Sequence, residues 1–395
     1  METAGFRGNA KVSGDRSDRG NVVTDTIFEN LFVLELANNH WGKLERGLKI
    51  IRDFARVVKF NNVNAAIKLQ FRDVDNFVHP DFRDRADIRY IKKTIDTHMP
   101  WEQLRLMVET VRDCGMVTMV TPFDEVSVDK CVEFGVEILK IASSDIRDKT
   151  LLRKMADTGL PVIASSGGAE IEHIDQLVEF FSSRNIPFAL NHCVSLYPSE
   201  DGDLELDQID FLKARYPAIT IGYSTHEYRD WWDSTLIAYG KGARTFERHI
   251  DIDYESVPVS SYCTKPQQAD TWFRAMKKAQ EMCGNGSAAR RIVPEGERRY
   301  LDALVRGVYA KRDMAKGEVL TADDVYFAVP LLKGQLSTRE FGDGEYLTGP
   351  IQAHAPLDVE TVDGPGLKSP SLLRLIRDRG IEPAMPALAP AAKAS

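Results

Sequence analysis

ITIGYSTH (219–226) and RTFERHI (244–250) are two short apolar runs, each carrying a histidine at its end, and their reading decides the fold. One helix and two loops fit between His226 and His249, which is the span of a βαβ crossover. As neighbouring parallel strands, the two runs bring both imidazoles out at the same end of a sheet. Two neutral imidazoles converging there suit a divalent transition metal. Without a third Cys, His or carboxylate at ligand spacing, the pair taken alone favours two hydrogen-bonded strand-end histidines over a metal site.

Six further runs precede them: LFVLELA (31–37), AAIKLQ (65–70), MVTMVTP (116–122), EILKIAS (137–143), PVIASSG (161–167) and FALNHCVS (188–195). Helical patterns lie between the runs. TLLRKMADTG (150–159) and HIDQLVEFFSSRN (173–185) space their apolar residues by three and four, leaving a polar opposite face. Eight β/α units over about 250 residues predict an α/β fold, a (β/α)₈ barrel spanning 28–284. An open doubly wound sheet is disfavoured because no Gly-rich dinucleotide turn follows the first run. NGSAARRIVPEGERR (285–299) reads as a linker, and 300–365 as a small second domain of short strands and turns. Within it, Lys316-Gly317 reads as a hairpin turn and Thr321 as a helix N-cap. Residues 1–27 read as a polar, disordered extension, and 366–395 as a Pro/Ala-rich tail with a brief basic helical run.

The bulk numbers exclude several classes. Lys+Arg 51 against Asp+Glu 59 leaves a net charge of −8, no field for nucleic acid. No apolar run approaches the roughly 20 residues needed to span a bilayer, and no apolar segment marks a signal peptide. Five scattered cysteines without CxxC spacing suit reduced thiols. The expectation is a cytoplasmic protein with neither membrane nor nucleic-acid partner.

Barrels carry their chemistry at the C-terminal ends of their strands. Here those ends hold Glu35, Lys68, Gln70, Thr121, Asp124, Lys140, Ser143, Asp145, Ser165, His192, Ser195, Tyr197, Ser224, His226, Glu247 and His249. Any one of them is explained by a solvated loop mouth. Lys68 and Lys140 are not, because each interrupts an apolar run and a lysine in a strand core needs an anionic partner. Two such lysines with Ser/Thr hydroxyls describe a site for phosphate or carboxylate. Adding the histidine pair gives an anion subsite beside a metal, a combination suited to activating a carbonyl next to a phosphorylated co-substrate.

The run ELANNHWGKLERG, then KLQ, TPFDEVSVDKCVEFGVEILKIASSDIRDKTLL, PVIASSG, HCVSLYPS, GYSTH and ERHI resembles the sialic acid synthase family, and RGVYAKRDMAKGEVLTADDV resembles its appended antifreeze-like (SAF) domain. The resemblance spans about 28–365. It implies condensation of phosphoenolpyruvate with an aldose such as N-acetylmannosamine or a 6-deoxy relative, giving a nonulosonic acid and phosphate. It implies a divalent cation on His226 and His249, usually Mn²⁺ with Mg²⁺ or Co²⁺ as substitutes, near Glu35, and no organic cofactor. Lys68, Thr121, Lys140, Ser143, Ser165 and Ser224 match positions that grip phosphoenolpyruvate. Gln70, Asp145, Ser195 and Tyr197 match the acceptor side, with Asp145 where the family more often has glutamate and Ser195 where it has asparagine. It also implies a domain-swapped homodimer in which the SAF domain caps the partner chain's site.

The departures from the family cluster on the acceptor side. Ser224-Thr225-His226 replaces the usual Ser-Asp-His, and VPVSSYCTKP (257–266) lacks the usual aspartate after the eighth strand. Ala328-Val329-Pro330 stands where an arginine often reaches the sugar, with Lys333 nearby. The phosphoenolpyruvate side is retained while the acceptor side is altered, which points to an acceptor other than plain N-acetylmannosamine. Two alternatives stay open. One is a catalytically silent sugar- or phosphate-binding paralogue. The other is a phosphorylated aldose, with Arg72, Arg83 and Arg85 as candidate phosphate ligands, although a solvated loop explains those arginines better.

Overall fold

The computed structural model describes residues 26–284, 290–342 and 344–382. It divides into two compact units, residues up to 286 and from 287 onward. In the first, eight parallel strands close into a barrel in sequence order: β1 (Leu31–Ala37), β2 (Ala65–Phe71), β3 (Val117–Pro122), β4 (Ile138–Ile141), β5 (Val162–Ser165), β6 (Phe188–Cys193), β7 (Thr220–Thr225) and β8 (Thr245–His249). Every expected strand is present within two residues of its expected ends. The expected helices form as Lys149–Asp157 and Ile171–Ser182.

Alternation along each strand sorts the side chains into two sets. Phe32, Leu34, Ile67, Leu69, Val120 and Leu190 face out and pack beneath the helices, in the core that also takes Ile50, Phe54, Trp272 and Phe273. Leu31, Val33, Ala66, Met119, Ile138 and Ile163 face in at the N-terminal end, where Phe28 joins them in a separate closed cluster. Each large aliphatic side chain buried this way contributes about 2 kcal/mol. One layer higher, the Thr245 hydroxyl donates to Asn191 Oδ1 at 2.6 Å beside Gly222. A Cβ on Gly222 would lie 1.8 Å from Thr245 Oγ1, so only glycine fits this waist of the barrel.

The second unit pairs β9 (Gly307–Ala310) with β10 (Val325–Ala328), and β11 (Tyr346–Leu347) with β12 (Val362–Asp363), all antiparallel. Three local expectations are corrected here. Thr321 caps no helix; its N–H and hydroxyl both bond Asp324 in a turn that leads into β10. Lys316-Gly317 is a turn but not a hairpin, because Met314 before it bridges Ile351 and Val319 after it bridges Tyr346. Residues 366–382 are not tail: Leu367 and Ile376, the latter on the helix Pro370–Asp378, lie in this unit's core. The helix Glu295–Asp302 also runs across the end of the stretch read as linker. The remainder of the expected tail and the extension before Thr26 lie outside the described residues. No described helix is long and apolar enough to cross a membrane.

Candidate functional site

The inward rows that are apolar at the N-terminal end turn polar at the C-terminal end. Val33 is followed two residues later by Glu35, Ala66 by Lys68 (with Gln70 two further on), Met119 by Thr121, Ile138 by Lys140, and Ile163 by Ser165. Barrel closure pairs Glu35 on β1 with both Lys68 on β2 and His249 on β8. The result is a four-charge cluster. Lys68 Nζ lies 2.5 Å from Glu35 and 3.1 Å from Glu247, and donates to the Thr121 hydroxyl at 3.3 Å. Lys140 Nζ donates to Ser165 Oγ at 2.6 Å and to the Ile141 carbonyl at 3.0 Å, with Glu247 at 4.0 Å. Gln70 donates to the second Glu35 oxygen at 2.7 Å.

The anionic partners that the buried lysines require are therefore the protein's own carboxylates, two against two. Burial pulls the Lys68 ammonium down, but Glu247 and Glu35 outweigh it and hold it above its ordinary value. Burial, followed by the charge of Lys68, carries Lys140 the other way. Burial raises the Glu35 carboxyl despite Lys68, with Glu247 adding to the rise. For Glu247, burial is outweighed by Lys140 and Lys68, which keep it below the usual range. Glu247 stood among the strand-end polar residues of the sequence, but sequence reasoning gave it no role. It sits two residues before His249 on the same inward face, and that alternation was the signal that would have found it.

The two histidines do converge, with ring centroids 5.4 Å apart. Burial lowers His226 to about 4, and burial with the neighbouring His226 and Lys68 holds His249 well below its ordinary value, so both rings are neutral. His226 Nδ1 lies 2.8 Å from the Val194 carbonyl, which assigns the proton to Nδ1 and leaves Nε2 as a lone-pair donor. That is the ligating form of imidazole. No group of three or more His, Cys, Asp or Glu joins around a metal position among the described residues. The donor set fits a cation held by two imidazoles, with its other positions left to water or substrate.

The same cavity, about 570 Å³, takes in Ser143, Asp145, Ser195, Tyr197 and Ser224. Every residue that the resemblance assigned to metal, phosphoenolpyruvate or acceptor thus borders one space. A Cβ on Gly167 would lie 2.2 Å from Ser195 Oγ and 2.9 Å from Ser143 Oγ, so glycine leaves the space that both hydroxyls occupy. Burial raises the Asp145 carboxyl, whose Oδ2 is enclosed without a hydrogen-bond partner among the described residues. The Tyr197 ring packs 3.9 Å from His226, and Tyr262 packs 5.3 Å from His249. Tyr262, from the stretch that lacks the expected aspartate, is a second residue sequence reasoning missed. Cys193, at the end of β6, borders the cavity too.

Two strand-end residues are not in the site. His192 faces outward, bonding the Leu204 carbonyl at 2.7 Å and stacking on Tyr223. Asp124 caps the helix Glu125–Glu133 and accepts from Asp73 N–H at 2.8 Å, tying two loops together. Of the three arginines after β2, Arg83 and Arg85 are exposed and engage Asp75 and Asp87. Arg72 is buried and borders the cavity. In the second unit Lys333 pairs with Glu382 at 2.6 Å.

A closed (β/α)₈ barrel with charged residues converging at its C-terminal mouth, followed by a small β unit, defines the class of this protein. The chain belongs to the NeuB family, whose model matches residues 56–288, and a SAF domain matches residues 305–360. It is similar to a Chromobacterium violaceum protein designated spore coat polysaccharide biosynthesis protein E, at 37% identity and a TM-score of 0.80, covering 85% of this chain and all of that one. The N-acetylneuraminic acid synthetase of Leptospira borgpetersenii is 29% identical with a TM-score of 0.60, covering 69% of this chain and 91% of that one. The N,N'-diacetyllegionaminic acid synthase of Campylobacter jejuni is 23% identical over 327 residues, 80% of this chain and 92% of the relative.

Proposed function

We propose that this chain condenses phosphoenolpyruvate with an amino-sugar aldose, releasing phosphate and a nonulosonic acid. The observation that carries the reading is the Glu35–Lys68–Glu247–Lys140 cluster set beside two neutral histidines at a barrel mouth. In this reading a new bond joins C3 of phosphoenolpyruvate to the aldehyde carbon, water adds at C2, and the C2–O bond to phosphate breaks. Lys140, with the Ser165 hydroxyl at 2.6 Å, supplies donors to the phosphate end. Lys68 and Thr121 hold the carboxylate end, so both reactants meet in one orientation. Glu35 carries a raised carboxyl pKa and serves to move the proton of the incoming water. Glu247 stays ionised as the counter-charge to both lysines. Gln70, Asp145, Ser195 and Tyr197 face the acceptor. His226 and His249 hold the divalent cation, which when bound supplies Lewis-acid polarisation of the aldehyde. A homodimer and a cytoplasmic setting belong to the same reading; light scattering should give twice the 44.4-kDa chain mass.

Phosphate release from phosphoenolpyruvate, with Mn²⁺ and a panel of N-acetylated hexosamines and 6-deoxy relatives, tests the reaction. His249→Ala should cut turnover by about a thousandfold while circular dichroism stays unchanged. No release with any acceptor, from folded and metal-loaded protein, rejects the reading and leaves a binding protein.

A further inference from the structure

The positive charge that the cavity leaves unmatched is not at the lysines that stood out in the sequence. Lys68 and Lys140 face Glu35 and Glu247, two cations against two carboxylates. Arg72 and Lys93 border the same cavity, and among the described residues neither has a carboxylate within 4.0 Å; the further acid on this lining is Asp145, whose carboxyl burial raises and which makes no ion pair with either. Arg72 is only 8% exposed. Its Nη2 donates to Gln70 Oε1 at 3.0 Å and to the Tyr90 hydroxyl at 2.9 Å, both neutral acceptors. Its Nε is enclosed without a partner among the described residues. The guanidinium lies 3.6 Å from the centroid of Phe123, a face that holds a cation but does not neutralise it. Lys93 stands on the helix Arg89–Asp96, half-buried, three residues after Tyr90 on the same face.

A guanidinium taken out of water without a counter-ion is costly, and proteins keep such groups where a ligand supplies the missing charge. Gln70 sets this group apart from the phosphoenolpyruvate end. It bonds Arg72 through its oxygen and Glu35 through its nitrogen, so it separates the Arg72 group from the four-charge cluster. Resting on the condensing reading above, we propose that Arg72 and Lys93 form a second anion subsite, which takes a phosphate or carboxylate carried by the acceptor sugar at the end away from its aldehyde. The planar fork of Arg72 suits bidentate contact with either oxyanion. Tyr90 and Phe77 wall the subsite with aromatic surface. The enzyme would then select an acidic aldose over its neutral counterpart.

Titration calorimetry on the full chain with Mn²⁺ tests this with three probes: N-acetylmannosamine, its 6-phosphate and the corresponding uronic acid. At least one anionic sugar should bind about tenfold or more tightly than the neutral one. Which anion gains distinguishes phosphate from carboxylate. Arg72→Gln and Lys93→Gln should each reduce that preference several-fold and leave affinity for the neutral sugar and for phosphoenolpyruvate within about twofold. Lys93→Gln carries the test alone if Arg72→Gln does not fold. Equal binding of all three sugars, or a preference that survives both substitutions, overturns the subsite. Loss of phosphoenolpyruvate affinity in the variants also overturns it, by assigning these cations to the other substrate. The condensing reading fails separately, through absent phosphate release, and the binding preference is measured whether or not turnover occurs.

Discussion

The two ends of the barrel interior are built from the same inward-facing rows and do opposite things. At the N-terminal end, Leu31, Val33, Met119, Ile138 and Ile163 close a dry plug around Phe28. Two residues further along each strand, Glu35, Lys68, Thr121, Lys140 and Ser165 occupy the equivalent inward positions around a cavity. The plug gains stability from every methylene. The mouth must offset the desolvation of four buried charges with their mutual attraction, a balance that seldom favours folding. A fold that keeps such a cluster keeps it for binding or chemistry, and the plug beneath carries the stability that allows it.

Removing one charge should break the contrast most sharply. Lys68→Met leaves Glu35 and Glu247 facing each other without their shared cation, so urea denaturation should show a loss of about 3–5 kcal/mol. Phosphate release should fall by about a hundredfold or more in the same variant. A cut in the plug should behave differently. Ile163→Ala should cost about 2–5 kcal/mol through the cavity it leaves, while kcat per folded molecule stays within about twofold. A large kcat loss there would end the division of labour.

The third test uses pH. Burial, then the charge of Arg72, lowers His40 to about 4 from 6.5, and its Nδ1 accepts from the Gly42 N–H at 3.0 Å. Its folded pKa lies below its unfolded one, so the unfolded chain binds the proton first. The stability it contributes is therefore full above pH 6.5 and is lost as pH falls through 6.5 toward 4, by about 3 kcal/mol. Chemical denaturation of the wild type and His40→Gln across that window should show this part of the slope only in the wild type. The smallest effect is expected at the waist between the two ends. Gly222→Ala should cost about 1–3 kcal/mol by overpacking against Thr245 and Asn191. Adding Thr245→Ala should recover part of that loss; no recovery would place the strain in the backbone.

Much of the site could be read from the chain because strand alternation is local. Lys68 and Lys140 interrupt apolar runs, and no other explanation of them is as economical as a shared interior. His226 and His249 end consecutive parallel strands, so a single crossover brings them together. What local patterns could not show is which charges meet. The anion that Lys68 needs comes from Glu35 on β1 and Glu247 on β8, the two strands that touch only when the barrel closes. Arg72 looked like one of three loop arginines because its burial depends on Phe123 and Tyr90 from other segments. Thr321 misled for the opposite reason: Asp324 three residues on satisfies it locally, and no helix is needed.

By itself the sequence determined eight strands and their order, and hence a barrel with a polar mouth. These follow from apolar periodicity and turn residues, interactions reaching only a few positions along the chain. Only the tertiary structure decided that the two lysines are neutralised from within, that Glu247 joins them, and that the unmatched cations are Arg72 and Lys93. Net charge at a buried point depends on every group within a few ångströms, and closure draws those groups from the whole length of the barrel.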